Sequence, residues 1–140
     1  MSLRFGANWV AKGCDGQPKL HTGIDIVAGK GRPVYAAEDG VVKVVGSDPT
    51  WKGWVTIQHE LGGTVFTTVY WHINPSVRAG QRVMRGQQIG TVADMGKNTH
   101  LHFGVRHAPY NNISNRGALP KTKACGRDDP KFPEKFVDPM

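Results

Sequence analysis

Between Asn98 and Gly104 polar and apolar side chains alternate, with His100 and His102 on one face and Leu101 and Phe103 on the other. A period of two is the signature of a β-strand, where residues i and i+2 point the same way, about 6–7 Å apart. One face of such a strand packs into a core. The other holds two imidazoles side by side on a rigid support, as a metal or acid–base site requires. An isolated His-x-His is equally well a strand with two exposed histidines, so the rest of the chain must decide between the two.

The rest of the chain is cut into short pieces by 18 glycines and 9 prolines. That punctuation predicts short strands joined by turns, an all-β fold with a mostly antiparallel sheet and long loops. Residues 1–20 read as irregular, with Phe5 and Trp9 as anchors. His21 to Val27 reads as a strand whose Ile24 and Ile26 face the core, Pro33 to Ala37 as a second, and Val41 to Val45 as a third. A loop over 46–53 leads to a long hairpin, Trp54 to His59 running up and Thr64 to Trp71 running back, ended by Asn74-Pro75. Val83 and Ile89 to Val92 give two more strands, and His100 to Arg106 the last. Beyond Pro109 the chain is polar and proline-rich, a tail expected to wrap the surface or cover a sheet edge. The 140 residues suit one domain, 1–140, with its core over about 20–106.

Charge narrows the function classes. The net charge is +7, but the lysines and arginines are scattered and no aromatic RNA-binding signature or helix-turn-helix pattern accompanies them. Nucleic acid is therefore a weak reading, and association with an anionic envelope polymer a consistent one. No apolar run approaches the roughly 20 residues of a membrane helix. No apolar signal core follows Met1-Ser2-Leu3-Arg4. The chain is either cytosolic or begins after a removed export signal, and the second is preferred. Two cysteines, Cys14 and Cys125, form no Cys-x-x-Cys. In an oxidising compartment they would close one long loop, adding about 4–5 kcal/mol in the chain-entropy model.

Three segments carry His or Asp on strand-like stretches: His21 with Asp25, His72, and His100 with His102. His21 and Asp25 are four apart and share a strand face, with Gly23 between them leaving room for something bulky. Two imidazoles and a carboxylate are a normal ligand set for catalytic zinc, with the fourth position open. Further histidines then handle protons near neutrality. Spacing alone leaves open whether one or both of His100 and His102 bind metal.

The ordered set His21-Thr22-Gly23-Ile24-Asp25, Arg32-Pro33-Val34-Tyr35-Ala36-Ala37 with Asp39-Gly40-Val41-Val42, Tyr70-Trp71-His72, and His100-Leu101-His102-Phe103 resembles the lysostaphin/LytM-type zinc metalloendopeptidases. The resemblance runs from about Leu20 to Arg106. It implies a lysostaphin-like catalytic domain (a duplicated hybrid motif), with a groove over one sheet. It implies zinc held by His21, Asp25 and His102, with His72 and His100 as the catalytic pair. The implied substrate is bacterial peptidoglycan, cut in its stem peptides or cross-bridges, by an exported protein, a monomer in expectation, of the envelope or exterior. Two departures bear on substrate preference: the loop Asp94 to Thr99 lacks the glycine common one or two residues ahead of the His-x-His, and Gly104 stands where an acidic residue is common.

His59, at a hairpin end, and His107, past the last strand, read as structural or exposed. Trp51, Trp54 and Trp71 read first as core or hairpin packing and second as groove lining. The rival to an active enzyme is a non-catalytic relative that binds the wall and activates another hydrolase. Such a module is expected to lose ligands, and all five residues are present here.

Overall fold

The computed structural model describes residues 8–14, 17–20, 23–110 and 136–137, with 8–14, 17–20 and residue 136 known by their backbone path alone. Among the described residues there are eleven strands: β1 (Asn8–Cys14), β2 (Gln17–Leu20), β3 (Ile24–Val27), β4 (Pro33–Tyr35), β5 (Gly40–Asp48), β6 (Lys52–Leu61), β7 (Thr64–Pro75), β8 (Arg82–Val83), β9 (Gln88–Val92), β10 (His100–Arg106) and β11 (Phe136–Val137). The all-β, antiparallel expectation holds. A nine-stranded sheet runs β11-β10-β7-β6-β5-β8, with β3 on β10, and β9 joining β4 to β7. β1 and β2 form a separate antiparallel hairpin.

Register explains the two faces of this sheet. His102 lies opposite Trp71, and Trp71 opposite Trp54. Phe103 lies opposite Tyr70, and Tyr70 opposite Val55. Side chains directly opposite share a face, so the two rows point to opposite sides. The Tyr70 row belongs to the main core, with Val34, Val42, Val55, Ile57, Ile73, Val83, Ile89 and Val92 buried and Leu101 and Phe103 packed against them. Each such aliphatic side chain contributes about 1.5–3 kcal/mol on burial. The other face carries His102 and a smaller apolar cluster of Trp54, Val69 and Trp71.

Four expectations need correction. Within the stretch 1–20 expected to be irregular, residues 8–14 and 17–20 are paired strands, β1 and β2. The loop expected over 46–53 shrinks to residues 49–51, because β5 continues to Asp48 and β6 begins at Lys52. Gly46 there is no turn residue: a Cβ on it would lie 2.5 Å from the Trp54 ring, so the glycine lets the indole cross the strand. β7 continues through Pro75, since Asn74 and Pro75 pair with β9. Ile26 is not core but 40% exposed, on the outer strand β3. β10 spans the residues expected of it. β11 pairs with the end of β10, as a tail covering a sheet edge would. Cys125 and the Cys14 side chain, with any disulfide between them, lie outside the described residues. Among the described residues no helix is long and apolar enough to cross a membrane.

Candidate metal centre

β10 lies between β3 and β7, and each neighbour delivers one side chain to it. Asp25 of β3 is the register partner of His102. Its Oδ1 lies 3.3 Å from His102 Nδ1 and 3.4 Å from His100 Nε2. The strand pair comes this close because Gly23 has no side chain. A Cβ there would sit 2.4 Å from the Phe103 carbonyl oxygen and 2.9 Å from His102 Nε2. The room expected beside Gly23 is taken by the His102 ring itself.

His72 arrives by a different route. Regular alternation along β7 would put it on the core side with Tyr70. Instead the register slips between Gly53↔Ile73 and Trp54↔Trp71, leaving His72 as an extra residue with φ 69°. Such a bulge re-aims a side chain. It turns the His72 ring to the His102 side, 4.8 Å from the His100 ring and 6.4 Å from that of His102. A left-handed backbone at a non-glycine residue costs about 1–3 kcal/mol and concentrates at functional sites. The peptide on its far side is tied down by the Ala93 N–H, which donates to the His72 carbonyl at 2.9 Å.

Each imidazole is oriented by a bond from Nδ1. His72 donates to the Trp51 carbonyl at 2.9 Å, and His100 to the Asn98 carbonyl. The Nε2 of His100 then faces Asp25, and hydrogen bonding to that carboxylate raises the His100 pKa above its ordinary value. His72 and His102 are buried, and the side chains of His100 and Asp25 only 21% and 13% exposed.

The described donors fit zinc. Bonds of about 2.0–2.1 Å at the tetrahedral angle set two donors about 3.3–3.4 Å apart, and Asp25 Oδ1 lies 3.3 Å from His102 Nδ1. Among the described residues no three side chains close as a metal-binding group by themselves. His21, the remaining expected ligand, lies outside the described residues.

The other residues singled out from sequence separate cleanly. His59 is buried on the core face, away from the site. His107 is exposed. Trp54 and Trp71 are packing residues, stacked at 4.8 Å. Trp51 is 38% exposed, with its ring 6.0 Å from that of His72, and so does stand beside the site. The turn that orients His72 through the Trp51 carbonyl was missed, because the sequence had been read there as open loop; Asp48-Pro49 was the signal that a tight turn sits there.

An antiparallel sheet thus gathers imidazoles and a carboxylate from three strands at one point. The family model described as peptidase family M23 matches residues 19–115. The chain belongs to that family. It is 38% identical over 110 residues to the peptidoglycan DD-endopeptidase ShyA of Vibrio cholerae, covering 72% of this chain and 25% of ShyA. Among solved structures it is similar to a zinc-containing peptidase from Vibrio cholerae (TM-score 0.60, 30% identity, 75% of this chain and 32% of that one). It is also similar to the catalytic domain of the antimicrobial peptidase lysostaphin from Staphylococcus simulans (TM-score 0.63, 25% identity, 80% of this chain and 84% of that one). The chain thus spans about a quarter of ShyA and a third of the zinc-containing peptidase.

Proposed function

We propose that this chain is a single exported metallopeptidase domain, a zinc-dependent endopeptidase that hydrolyses peptide bonds in bacterial peptidoglycan. One observation carries the reading: Asp25 Oδ1 stands within 3.4 Å of a nitrogen on both His100 and His102, with the His72 ring beside them. His21, Asp25 and His102 would hold the ion; His72 and His100 would work on the substrate. Zinc, when bound, supplies Lewis-acid polarisation of the scissile carbonyl and an acidified water.

The chain's own residues supply the rest. Asp25 and His102 face each other across one β-ladder, so their donor atoms are set before any ion arrives. With Nδ1 bonded to the Trp51 carbonyl, His72 would act through Nε2, where a neutral imidazole takes a proton from attacking water or a protonated one steadies the oxyanion. His100, partly buried, offers the second proton-transfer group. The peptidoglycan DD-endopeptidase among the relatives supports the substrate class. The convergence of Asp25, His72, His100 and His102 disfavours a purely non-catalytic activator.

The test combines metal analysis with digestion of purified walls, new termini being identified by mass spectrometry. About one zinc per chain is expected, lost to chelator together with hydrolysis. His21→Ala should lower zinc content, whereas His100→Ala should keep most of it and lose turnover by about 10²–10⁴-fold. Metal-free protein that leaves walls intact yet stimulates a second hydrolase would sink the proposal.

A further inference from the structure

The turn joining β5 to β6 touches the site through one residue, in two ways. The Trp51 carbonyl accepts the Nδ1–H of His72 at 2.9 Å, and the Trp51 ring stands 6.0 Å from the His72 ring, tilted by 37°. That carbonyl is aimed by the turn, and the turn is closed by a side chain. Asp48 Oδ1 accepts the Trp51 N–H at 2.6 Å. Asp48-Pro49-Thr50-Trp51 has the composition of a tight turn, with an acceptor first and a φ-restricted proline second. Lys52 then resumes the strand with φ 65°, a left-handed residue that swings the chain back. The turn is held at both ends, although it lies at an exposed hairpin tip.

The geometry points to Asp48 as a positioning residue for His72, acting through Trp51. The carboxylate fixes the Trp51 peptide; the Trp51 carbonyl fixes His72 as the Nδ1–H tautomer; the ring is thereby held 4.8 Å from that of His100. The Oδ1 bond of Asp48 is to the Trp51 peptide, one step removed from the His72 ring. Its removal is therefore expected to change the orientation of a proton-transfer group and not the binding of an ion. The inference rests on His72 being the proton-transfer group of an active peptidase, so the test needs a readout that survives if hydrolysis is never seen.

Three forms of the full chain decide it: the unaltered protein, Asp48→Ala and Asp48→Asn. Asparagine keeps an Oδ1 that accepts the same N–H; alanine does not. Zinc content and the thermal midpoint are measured to establish that all three fold and load alike. Long-range nitrogen–proton correlation spectra then report the His72 tautomer, and wall digestion gives kcat and KM. In Asp48→Ala a mixture of His72 tautomers and a kcat lowered about tenfold, with KM within about twofold, are expected; Asp48→Asn should restore both. An Asp48→Ala protein that folds, keeps the single Nδ1–H tautomer and turns over normally would overturn the assignment. Equal losses in the asparagine and alanine forms would also overturn it, by showing that the charge and not the turn matters. If none of the three cleaves walls, the peptidase reading fails on its own, while the His72 spectra still decide whether Asp48 orients that ring.

Discussion

The two faces of the sheet hold histidines with opposite fates. On one, His100 and His102 share the Asp25 carboxylate and the His100 pKa is pushed up. On the other, His59 is 1% exposed and burial pushes its pKa down, against weaker upward pulls from the Asp39 and Glu38 backbones and carboxylates. Its neighbours suit a neutral ring. Nδ1–H donates to the Asp39 carbonyl at 2.9 Å, while Nε2 lies 2.6 Å from Thr68 Oγ1, itself 2.9 Å from the Tyr70 hydroxyl. The Ala37 N–H donates to that hydroxyl, which burial keeps in its protonated form. With the hydroxyl rotors turned toward His59, every group in this chain has a donor for each acceptor. Both faces use a glycine to seat the ring: a Cβ on Gly23 would lie 2.9 Å from His102 Nε2, and one on Gly40 would lie 2.8 Å from His59 Nδ1. The imidazole is the same in each place. A shared carboxylate sets it in the proposed metal centre, and a closed hydrogen-bond chain makes it a strut.

Substitutions can break that contrast. Asp25→Ala should have the largest effect, lowering wall hydrolysis by more than about 10³-fold together with zinc content, because both imidazoles lose their common partner. His59→Ala should leave zinc stoichiometry alone and cost about 2–4 kcal/mol of stability in urea unfolding, from a cavity plus unpaired Asp39 and Thr68 groups. Next in size, Gly23→Ala should weaken zinc binding by roughly 10–100-fold in competition with a chelating dye, by forcing β3 off β10 and Asp25 away from His102. A loss confined to stability, with zinc affinity intact, would show that Gly23 merely seats the strand.

The smallest effect is a slope. Above about pH 6.5 His59 is neutral folded and unfolded alike. Below it the unfolded chain takes up the proton first, since the folded pKa is lowered. The His59 contribution is therefore fully present above about pH 6.5 and lost as pH falls through the folded value. Unfolding midpoints between pH 5 and 8 should fall toward acid in the unaltered protein and fall less in His59→Gln. Equal slopes would mean that His59 is not held neutral.

Much of this was legible because β10 obeys its alternation residue by residue: His100 and His102 lie where a period of two puts them, and so do Leu101 and Phe103. Register could not be read from local pattern, and it is register that sets Asp25 opposite His102. Glycine was misleading at Gly46, where it serves a close crossing by Trp54 and not a turn. Pro75 ended a strand later than expected, because the last residues of β7 gain a new partner in β9. The orientation of His72 was beyond any periodic reading, since a bulge reverses the side it would take.

The left-handed backbone at residue 72 bears on how that position should be mutated. A valine or threonine placed there would suffer from its branched Cβ as well as from the missing imidazole, mixing a folding defect with a chemical one. Asparagine tolerates such a conformation and glycine prefers it. Either would remove the ring while relaxing the chain, so a dead His72→Asn enzyme with undiminished melting temperature would isolate the chemistry from the scaffold.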